Sequence, residues 1–270
     1  MKTMQKSYKS VLTIAGSDSG GCAGIQGDIK SISSCGAYAS TVITASTAQN
    51  TKGVFDIYPI SINHIEKQLD AVLSDIKFGS VKIGMLYSSE IINCVKLKLE
   101  SYKVKNIVID PVMISSSGYK LISNDAIKTL KLFLRRATII TPNIPEAEIL
   151  IDKKINIQNI QNSAKIIGKL FSTSVLLKGG HLVDEGKFVT DILYDFKSNS
   201  NLIIKNTKIK SNNLHGTGCS LSSSIAAFLS LGFELDQAVK NACNFVNRAI
   251  KNGANKILGQ GIGPINHFNI

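Results

Sequence analysis

Short apolar runs alternate with amphipathic stretches along most of the chain. The runs are rich in β-branched residues and show little polar alternation, which is typical of strands buried on both faces. They are VLTIA (11–15), STVITA (40–45), SVKIG (80–84), NIVID (106–110), ATIIT (137–141) and SVLLK (174–178). Helical spacing of apolar residues marks INHIEKQLDAVLSD (62–75), SSEIINCVKLKLES (88–101), SNDAIKTLKLFLRR (123–136) and NIQNIQNSAKIIGKL (156–170). The alternation predicts an α/β fold, a mostly parallel sheet with helices on both faces.

Two further segments, GVFDIYPI (53–60) and KFVTDILYDF (187–196), alternate polar and apolar residues more regularly. We therefore expect both to be antiparallel or edge strands. No linker or low-complexity stretch interrupts the pattern, and α/β folds of about 270 residues often form one unit. We predict a single domain over residues 1–270.

The apolar runs fall far short of the ~20 residues that a membrane-spanning helix requires. The basic start, MKTMQKSYKS, leads into an apolar run, VLTIAG, that is too short for a secretory signal. We expect a cytoplasmic protein with no membrane partner.

The formal net charge is +12. Nucleic-acid binding uses clustered lysines and arginines, but the lysines here are scattered among Asn and Ile. We therefore expect a solvated basic surface and no nucleic-acid partner, although a positive field would help to attract anionic small molecules.

The five cysteines form no C-x-x-C pair and have no nearby histidine at zinc spacing. A disulfide framework is not expected, and most of these thiols should be small buried hydrophobic groups. Cys219 differs because of its position, which is considered below.

Polar and glycine-rich residues gather directly after the predicted strands, where a doubly wound sheet binds its ligands. The first such segment, GSDSGGCAG (16–24), matches neither a Walker A loop nor a dinucleotide fingerprint. Asp18 and the later Asp28 could each bind a ligand or cap a turn, and the residues alone leave both possibilities open.

The segment TAQNT (47–51) places Gln49 and Asn50 past the second predicted strand. A carboxamide offers a donor and an acceptor side by side, which matches the ring nitrogen and exocyclic amine of an aminopyrimidine. Taken alone, the segment favours an ordinary polar loop.

Oxygen ligands follow two neighbouring strands, Asp110 in DPVM and Asn143 and Glu146 in TPNIPEAE. Mg²⁺ takes few protein carboxylates and keeps phosphate oxygens and waters, so a sparse set suits a metal nucleotide. Asn143 and Glu146 could also form a helix capping box, with Pro145 in the first turn. Lys178 ends the SVLLK strand and could bind phosphate or simply be solvated.

The segment HGTGCSLSSSIAAFLSLG (215–232) is a glycine-rich turn that leads into an apolar helix. The first N–H groups of a helix lack intrahelical partners, so Gly216, Thr217 and Gly218 predict an anion hole. Such donors stabilise the charge on a transferring phosphoryl group. The same field should lower the pKa of Cys219 and favour a thiolate that accepts a hydroxyl proton.

The chain from about Val11 to Phe268 resembles the hydroxymethylpyrimidine/phosphomethylpyrimidine kinases of thiamine biosynthesis, in the ribokinase superfamily. The motifs that carry this resemblance occur in family order and spacing. They are VLTIAGSDSGGCAGIQGDIKSISSCGAYASTVITASTAQNTKGV, VKIGMLYSSEII, VIDPVMISSSG, ITPNIPEAEIL, VLLKGGH, HGTGCSLSSSIAAFLSLG and GQGIGPINHF. The resemblance implies a three-layer αβα, ribokinase-like fold and a homodimer. It also implies ATP- and Mg²⁺-dependent phosphorylation of 4-amino-5-hydroxymethyl-2-methylpyrimidine, and then of its monophosphate.

The resemblance also implies roles for individual residues. Gln49 would bind the aminopyrimidine, with Gly16 and Ala23 near the ring. Asp110 and Glu146 would serve Mg²⁺, and Asp110, Asn143 and Lys178 the nucleotide phosphates. The Gly216–Gly218 turn would form the anion hole. Cys219 would occupy the general-base position, where sugar kinases of the superfamily carry aspartate.

Two alternatives stay open. Pyridoxal kinases of the same superfamily can carry a cysteine at this position, and a non-catalytic nucleotide-binding protein could keep the fold. The loop after the first strand also departs from the family pattern Ser-Asp-Pro-Ser-Gly-Gly-Ala-Gly. Ser19 replaces the proline, Gly20 the serine and Cys22 a glycine, while Gly27 stands where alanine is usual. We expect a more flexible loop.

Overall fold

The computed structural model describes residues 7–114, 121–180 and 187–268. The first six residues, part of VIDPVMISSSG and His181 of VLLKGGH lie outside these ranges. The strands in the described ranges are β1 (Ser10–Asp18), β2 (Tyr38–Asn50), β3 (Gly53–Pro59), β4 (Ser80–Ile83), β5 (Ile107–Ile109), β6 (Ile139–Ile140), β7 (Ser174–Leu177), β8 (Phe188–Asp195) and β9 (Ser200–Thr207). The helices there are α1 (Gly24–Ser34), α2 (Ile62–Leu73), α3 (Ser89–Ser101), α4 (Asn124–Leu134), α5 (Ile144–Ile151), α6 (Ile160–Phe171), α7 (Thr217–Ser230) and α8 (Leu235–Gly253).

The strands form one sheet in the order β3-β2-β1-β4-β5-β6-β7-β8-β9. The six strands from β2 to β7 in this order are parallel. At the two ends, β3 pairs with β2, and β8 with β7 and β9, in antiparallel fashion. The predicted mostly parallel sheet is confirmed, and so are the two antiparallel segments.

Two hydrophobic cores lie on opposite faces of the sheet. Helices α2 to α6 cover one face, and α1, α7 and α8 cover the other. Successive strand residues point to opposite faces, so Leu12 and Ile14 pack in the first core and Val11 in the second. The result is the expected three-layer αβα fold.

Three differences from the predicted elements affect the site. β2 does not end near residue 45 but continues to Asn50, because its last residues pair with β3 in a hairpin. The pattern did not identify β9, whose residues are mostly exposed, although Leu202 and Ile204 pack on the second core and β9 makes β8 an inner strand. It also left out α8, which packs on α7 and lines the cavity described below.

Serine residues cap the N-termini of three of the helices that cover the first face of the sheet. Ser61, Ser88 and Ser123 each accept a hydrogen bond from the backbone N–H three residues later, at the starts of α2, α3 and α4. Among the described helices, none combines the length and apolar character needed to cross a bilayer.

Candidate active site

A cavity of about 740 Å³ opens at the carboxyl ends of the parallel strands. All the residues that the sequence analysis singled out as site residues line it. They are Gly16, Ala23, Gln49, Asp110, Asn143, Glu146, Lys178, Gly216, Thr217, Gly218 and Cys219. The chain thus brings together groups that are up to 203 positions apart, from Gly16 to Cys219.

The loop between β1 and α1 folds around Asp18. The Asp18 carboxylate accepts hydrogen bonds from the N–H groups of Gly20, Cys22 and Ala23 at 2.8–2.9 Å. Asp18 therefore caps the loop, one of the two possibilities left open by the sequence, and it also lines the cavity. Ligand atoms of Asp18, Cys22 and His215 lie within 4.8 Å of one another, but this carboxylate already serves the loop.

Close backbone packing holds this loop against β1. Gly24 has φ of +54°, and a Cβ there would lie 2.3 Å from the carbonyl oxygen of Gly16. A side chain at position 24 would push the start of α1 away from the strand, so glycine is required.

Gln49 faces the cavity from the end of β2. Its Nε2 lies 3.0 Å from Nε2 of His215, and its Oε1 accepts a 3.2 Å hydrogen bond from the Thr47 hydroxyl. Burial lowers the pKa of His215, so the neutral ring can accept a hydrogen bond from the amide. The sequence analysis did not identify His215 as a site residue. His215 directly precedes the glycine turn and holds the Gln49 carboxamide in place.

Asp110, directly after β5, and Lys178, directly after β7, form an ion pair across the end of β6. Lys178 Nζ lies 3.0 Å from Asp110 Oδ1, and the Thr141 hydroxyl donates to the same oxygen at 3.0 Å. Burial opposes the charge of Lys178, but Asp110 and Glu146 outweigh it and raise the lysine pKa. Lys178 is therefore a fixed cation on the cavity wall.

Asn143 and Glu146 form the capping box that the sequence offered as an alternative. The Asn143 side chain accepts from the Glu146 N–H, and the Glu146 carboxylate accepts from the Asn143 N–H, both at 2.9 Å. Burial, together with the nearby Asp110, raises the pKa of Glu146 to about 7. Capping does not remove Glu146 from the cavity, which it still lines.

Helix α7 begins at Thr217, and no side chain in the described part of the chain caps this end. Gly216 precedes it with φ of +85°, and a Cβ there would lie 1.9 Å from the Cys22 carbonyl oxygen. The start of α7 is thus wedged against the β1–α1 loop. Gly218 faces the ion pair, since its added Cβ would lie 3.4 Å from Lys178 Nζ and 3.6 Å from Asp110 Oδ2.

Cys219 lies in the first turn of α7, where the sequence analysis expected a lowered pKa. That expectation is wrong for the unliganded protein, because burial raises the pKa of Cys219 to about 11. Lys82 and a hydrogen bond from the Gly24 N–H act in the lowering direction, but they do not overcome burial. The helix start alone does not make this thiol a thiolate.

Part of the cavity wall is apolar, and most of it comes from elements that the sequence had not connected with the site. Val189 lies on β8, and Val246 and Ile250 lie on α8, while Leu221 comes from α7. A flat heterocycle fits such a wall. No local motif marks these residues, because only the sheet order brings them together.

A family profile and the curated relatives identify one family. A family profile described as phosphomethylpyrimidine kinase matches residues 18–266. The chain is 42% identical to the hydroxymethylpyrimidine/phosphomethylpyrimidine kinase of Haemophilus influenzae over 96% of this chain and 97% of that one. It is 44% identical to the thiamine biosynthesis bifunctional protein ThiED of Geobacter sulfurreducens, and here it spans about half (52%) of the relative's length. The solved structure of the pyridoxal kinase from Staphylococcus aureus in complex with pyridoxal matches with a TM-score of 0.87, 31% identity and coverage of 97% and 94% of the two chains.

Proposed function

Because the chain belongs to the phosphomethylpyrimidine kinase family, we propose that it phosphorylates 4-amino-5-hydroxymethyl-2-methylpyrimidine with ATP and then converts the monophosphate to the diphosphate. One observation carries the proposal. A single cavity holds the carboxamide of Gln49, the uncapped start of α7 and the Lys178–Asp110 pair. A hydroxymethylpyrimidine needs such a carboxamide for its ring, and a transferred phosphoryl group needs such donors.

Residues of the chain orient the substrate and take up its proton. Gln49, held by His215 and Thr47, orients the aminopyrimidine, and Gly16 and Ala23 lie along the same part of the cavity wall. The Cys219 thiolate accepts the proton of the substrate hydroxyl, whose oxygen attacks the γ-phosphorus as ADP leaves.

The developing negative charge meets prearranged groups at the start of α7. The N–H groups of the Gly216–Gly218 turn stabilise the phosphoryl oxygens, and Lys178 neutralises charge on the nucleotide phosphates. Asn143 lies next to Lys178, since residues 143 and 178 form an isolated parallel bridge, and it supports the same phosphates.

The residues present fit a magnesium ion. Two carboxylates, Glu146 and Asp110, lie close enough in a buried setting that Asp110 raises the pKa of Glu146, and a divalent cation would relieve this repulsion. Glu146 and Asp110 would hold the ion. When bound, Mg²⁺ supplies positive charge to the ATP phosphates.

Binding of Mg²⁺–ADP should release protons near neutral pH. With a pKa of about 7, Glu146 is half protonated at pH 7, and a cation favours its carboxylate. We expect release of up to about half a proton per site at pH 7, falling towards zero above pH 8.5. Isothermal titration calorimetry in two buffers of different ionisation enthalpy measures it.

Glu146→Gln should abolish this proton release. Glu148→Gln is the matched control, because Glu148 is paired with Lys154 on the surface and its pKa is lowered. Equal proton release by the wild type and Glu146→Gln would contradict the assignment.

Removal of the Gln49 carboxamide should weaken pyrimidine binding. Gln49→Ala is expected to raise KM for the hydroxymethylpyrimidine about tenfold and to leave KM for ATP unchanged, because a lost neutral hydrogen-bonding pair contributes about 1–1.5 kcal/mol. Steady-state kinetics with each substrate varied in turn measures both constants. An unchanged KM for the pyrimidine would remove Gln49 from the site.

A substrate panel tests the main proposal against its alternatives. Purified protein with Mg²⁺–ATP should convert the hydroxymethylpyrimidine to mono- and diphosphate. Rapid phosphorylation of pyridoxal with no pyrimidine product would favour the second candidate, which the structural match to a pyridoxal kinase supports. ATP binding with no transfer to either alcohol would instead indicate a non-catalytic nucleotide-binding protein.

We also propose a cytoplasmic homodimer whose protomer is one domain. The continuous nine-stranded sheet within the described ranges supports one domain, and a cytosolic ATP supply fits the reaction. The edge strand β3 leaves Phe55 and Tyr58 about 70% exposed, which suits contact with a second copy. Sedimentation equilibrium measures the oligomeric state.

A further inference from the structure

A second ion pair lies buried beneath the active-site cavity. Lys82 on β4 places its Nζ 2.8 Å from both carboxylate oxygens of Asp28 on α1, and neither side chain is exposed to solvent. Desolvation of two charges offsets most of their attraction, so a buried pair adds little stability over apolar residues of similar size. The pair therefore suggests a use beyond packing.

Hydrogen bonds tie this pair to the helix that carries Cys219. The Asp28 carboxylate also accepts from the hydroxyls of Thr13 at 2.5 Å and Ser223 at 2.6 Å. Ser223 lies on α7, one helical turn after Cys219. Lys82 itself reaches the cavity wall, where Cys219 also lies.

Four charged groups act on the Cys219 sulfur from the surrounding elements. Lys82 and Asp28 act from β4 and α1, while Asp110 and Lys178 follow β5 and β7. Burial is the largest influence and raises the thiol pKa, and among the charges Lys82 lowers it the most. Both lysines are ion-paired, Lys178 with Asp110 at 3.0 Å and Lys82 with Asp28 at 2.8 Å.

We propose that Lys82 is a positioning residue for Cys219: its ammonium, held in place by Asp28, is the internal cation that stabilises the Cys219 thiolate. The inference rests on the proposed function, in which this thiolate takes the substrate proton. In that step the hydroxyl O–H bond breaks and an S–H bond forms. The proton is later lost from the thiol to water, which restores the thiolate beside Lys82.

Alkylation of the unliganded protein tests this without any turnover. Iodoacetamide reacts with the thiolate, forming an S–C bond and releasing iodide, and peptide mass spectrometry follows Cys219 separately from the other cysteines. At pH 8, alkylation of Cys219 in Lys82→Met should be about tenfold slower than in the wild type, as the loss of a stabilising cation would give. The double variant Lys82→Met/Asp28→Asn leaves no unpaired buried charge and should still be slower, by about threefold, because Lys82 has a larger effect on the sulfur than Asp28 does.

A purely structural role predicts the opposite change. Loss of packing would open the site, expose Cys219 and speed its alkylation. Faster or unchanged alkylation in the double variant, which removes the risk of an isolated charge, would overturn the proposal. The partly exposed pair Lys98–Asp70 provides the control, because Lys98→Met/Asp70→Asn removes a comparable 2.7 Å contact near the surface and should leave Cys219 unaffected. Pyrimidine turnover by the wild type tests the proposed function separately.

Discussion

Cys219→Ala is expected to lower kcat for the hydroxymethylpyrimidine by about 100-fold or more, the usual contribution of a positioned general base. The thiol lies in the first turn of α7, beside the glycine turn and within the field of Lys82. Alanine keeps the helix and removes only the proton acceptor. Turnover at saturating substrates, measured by coupled detection of ADP, gives the ratio.

The pH dependence of the same reaction provides a second measure. Burial holds the Cys219 pKa at about 11, so below that pH the thiolate fraction rises tenfold with each pH unit. The wild-type kcat/KM should therefore still increase with pH above about pH 8.5, where Glu146 is already ionised, and this slope should be absent in Cys219→Ala.

Cys35→Ala is the matched control, since Cys35 lies at the far end of α1 and does not line the cavity. Near-normal turnover by Cys219→Ala would mean that positioning and the anion hole suffice. That result is chemically reasonable, because phosphoryl transfer asks little covalent work of a protein.

The fold was largely predictable because each strand and helix shows its own pattern of apolar residues within a short segment of the sequence. Buried parallel strands such as β1 are apolar on both faces over residues 11–15, and the helices between the strands keep one apolar stripe. β9 escaped detection because an antiparallel edge strand needs little apolar surface.

The site was predictable only in part, for the same physical reason. Residues directly after the parallel strands, such as Asp110 and Lys178, must meet at one edge of the sheet. Lys82 is different, because it lies inside strand β4 and its significance depends on Asp28, 54 positions earlier. The Cys219 pKa also depends on burial by the whole fold, which no local pattern reports.

Alanine at the two glycines that flank Thr217 should change the stability of the protein in different ways. At Gly216 the φ of +85° costs an L-residue about 1–2 kcal/mol, and the clash with the Cys22 carbonyl adds about 1–3 kcal/mol. Gly216→Ala should therefore lower the free energy of unfolding by about 2–5 kcal/mol and displace the start of α7. Urea unfolding measures the first effect, and loss of turnover reports the second.

Gly218→Ala should keep the fold and still impair the reaction. A Cβ there meets only ordinary van der Waals contacts, 3.4 Å from Lys178 Nζ, and alanine favours a helical position by up to about 1 kcal/mol over glycine. Yet the methyl group would occupy the space between the helix start and the lysine, where the proposed phosphoryl group lies. We expect unchanged or higher stability with kcat/KM reduced at least about tenfold, because the methyl group would push the phosphoryl group away from the prearranged N–H donors, each of which is typically worth more than that. Wild-type turnover in Gly218→Ala would show that the phosphoryl group passes elsewhere in the cavity, because a methyl group beside Lys178 leaves no room for it there.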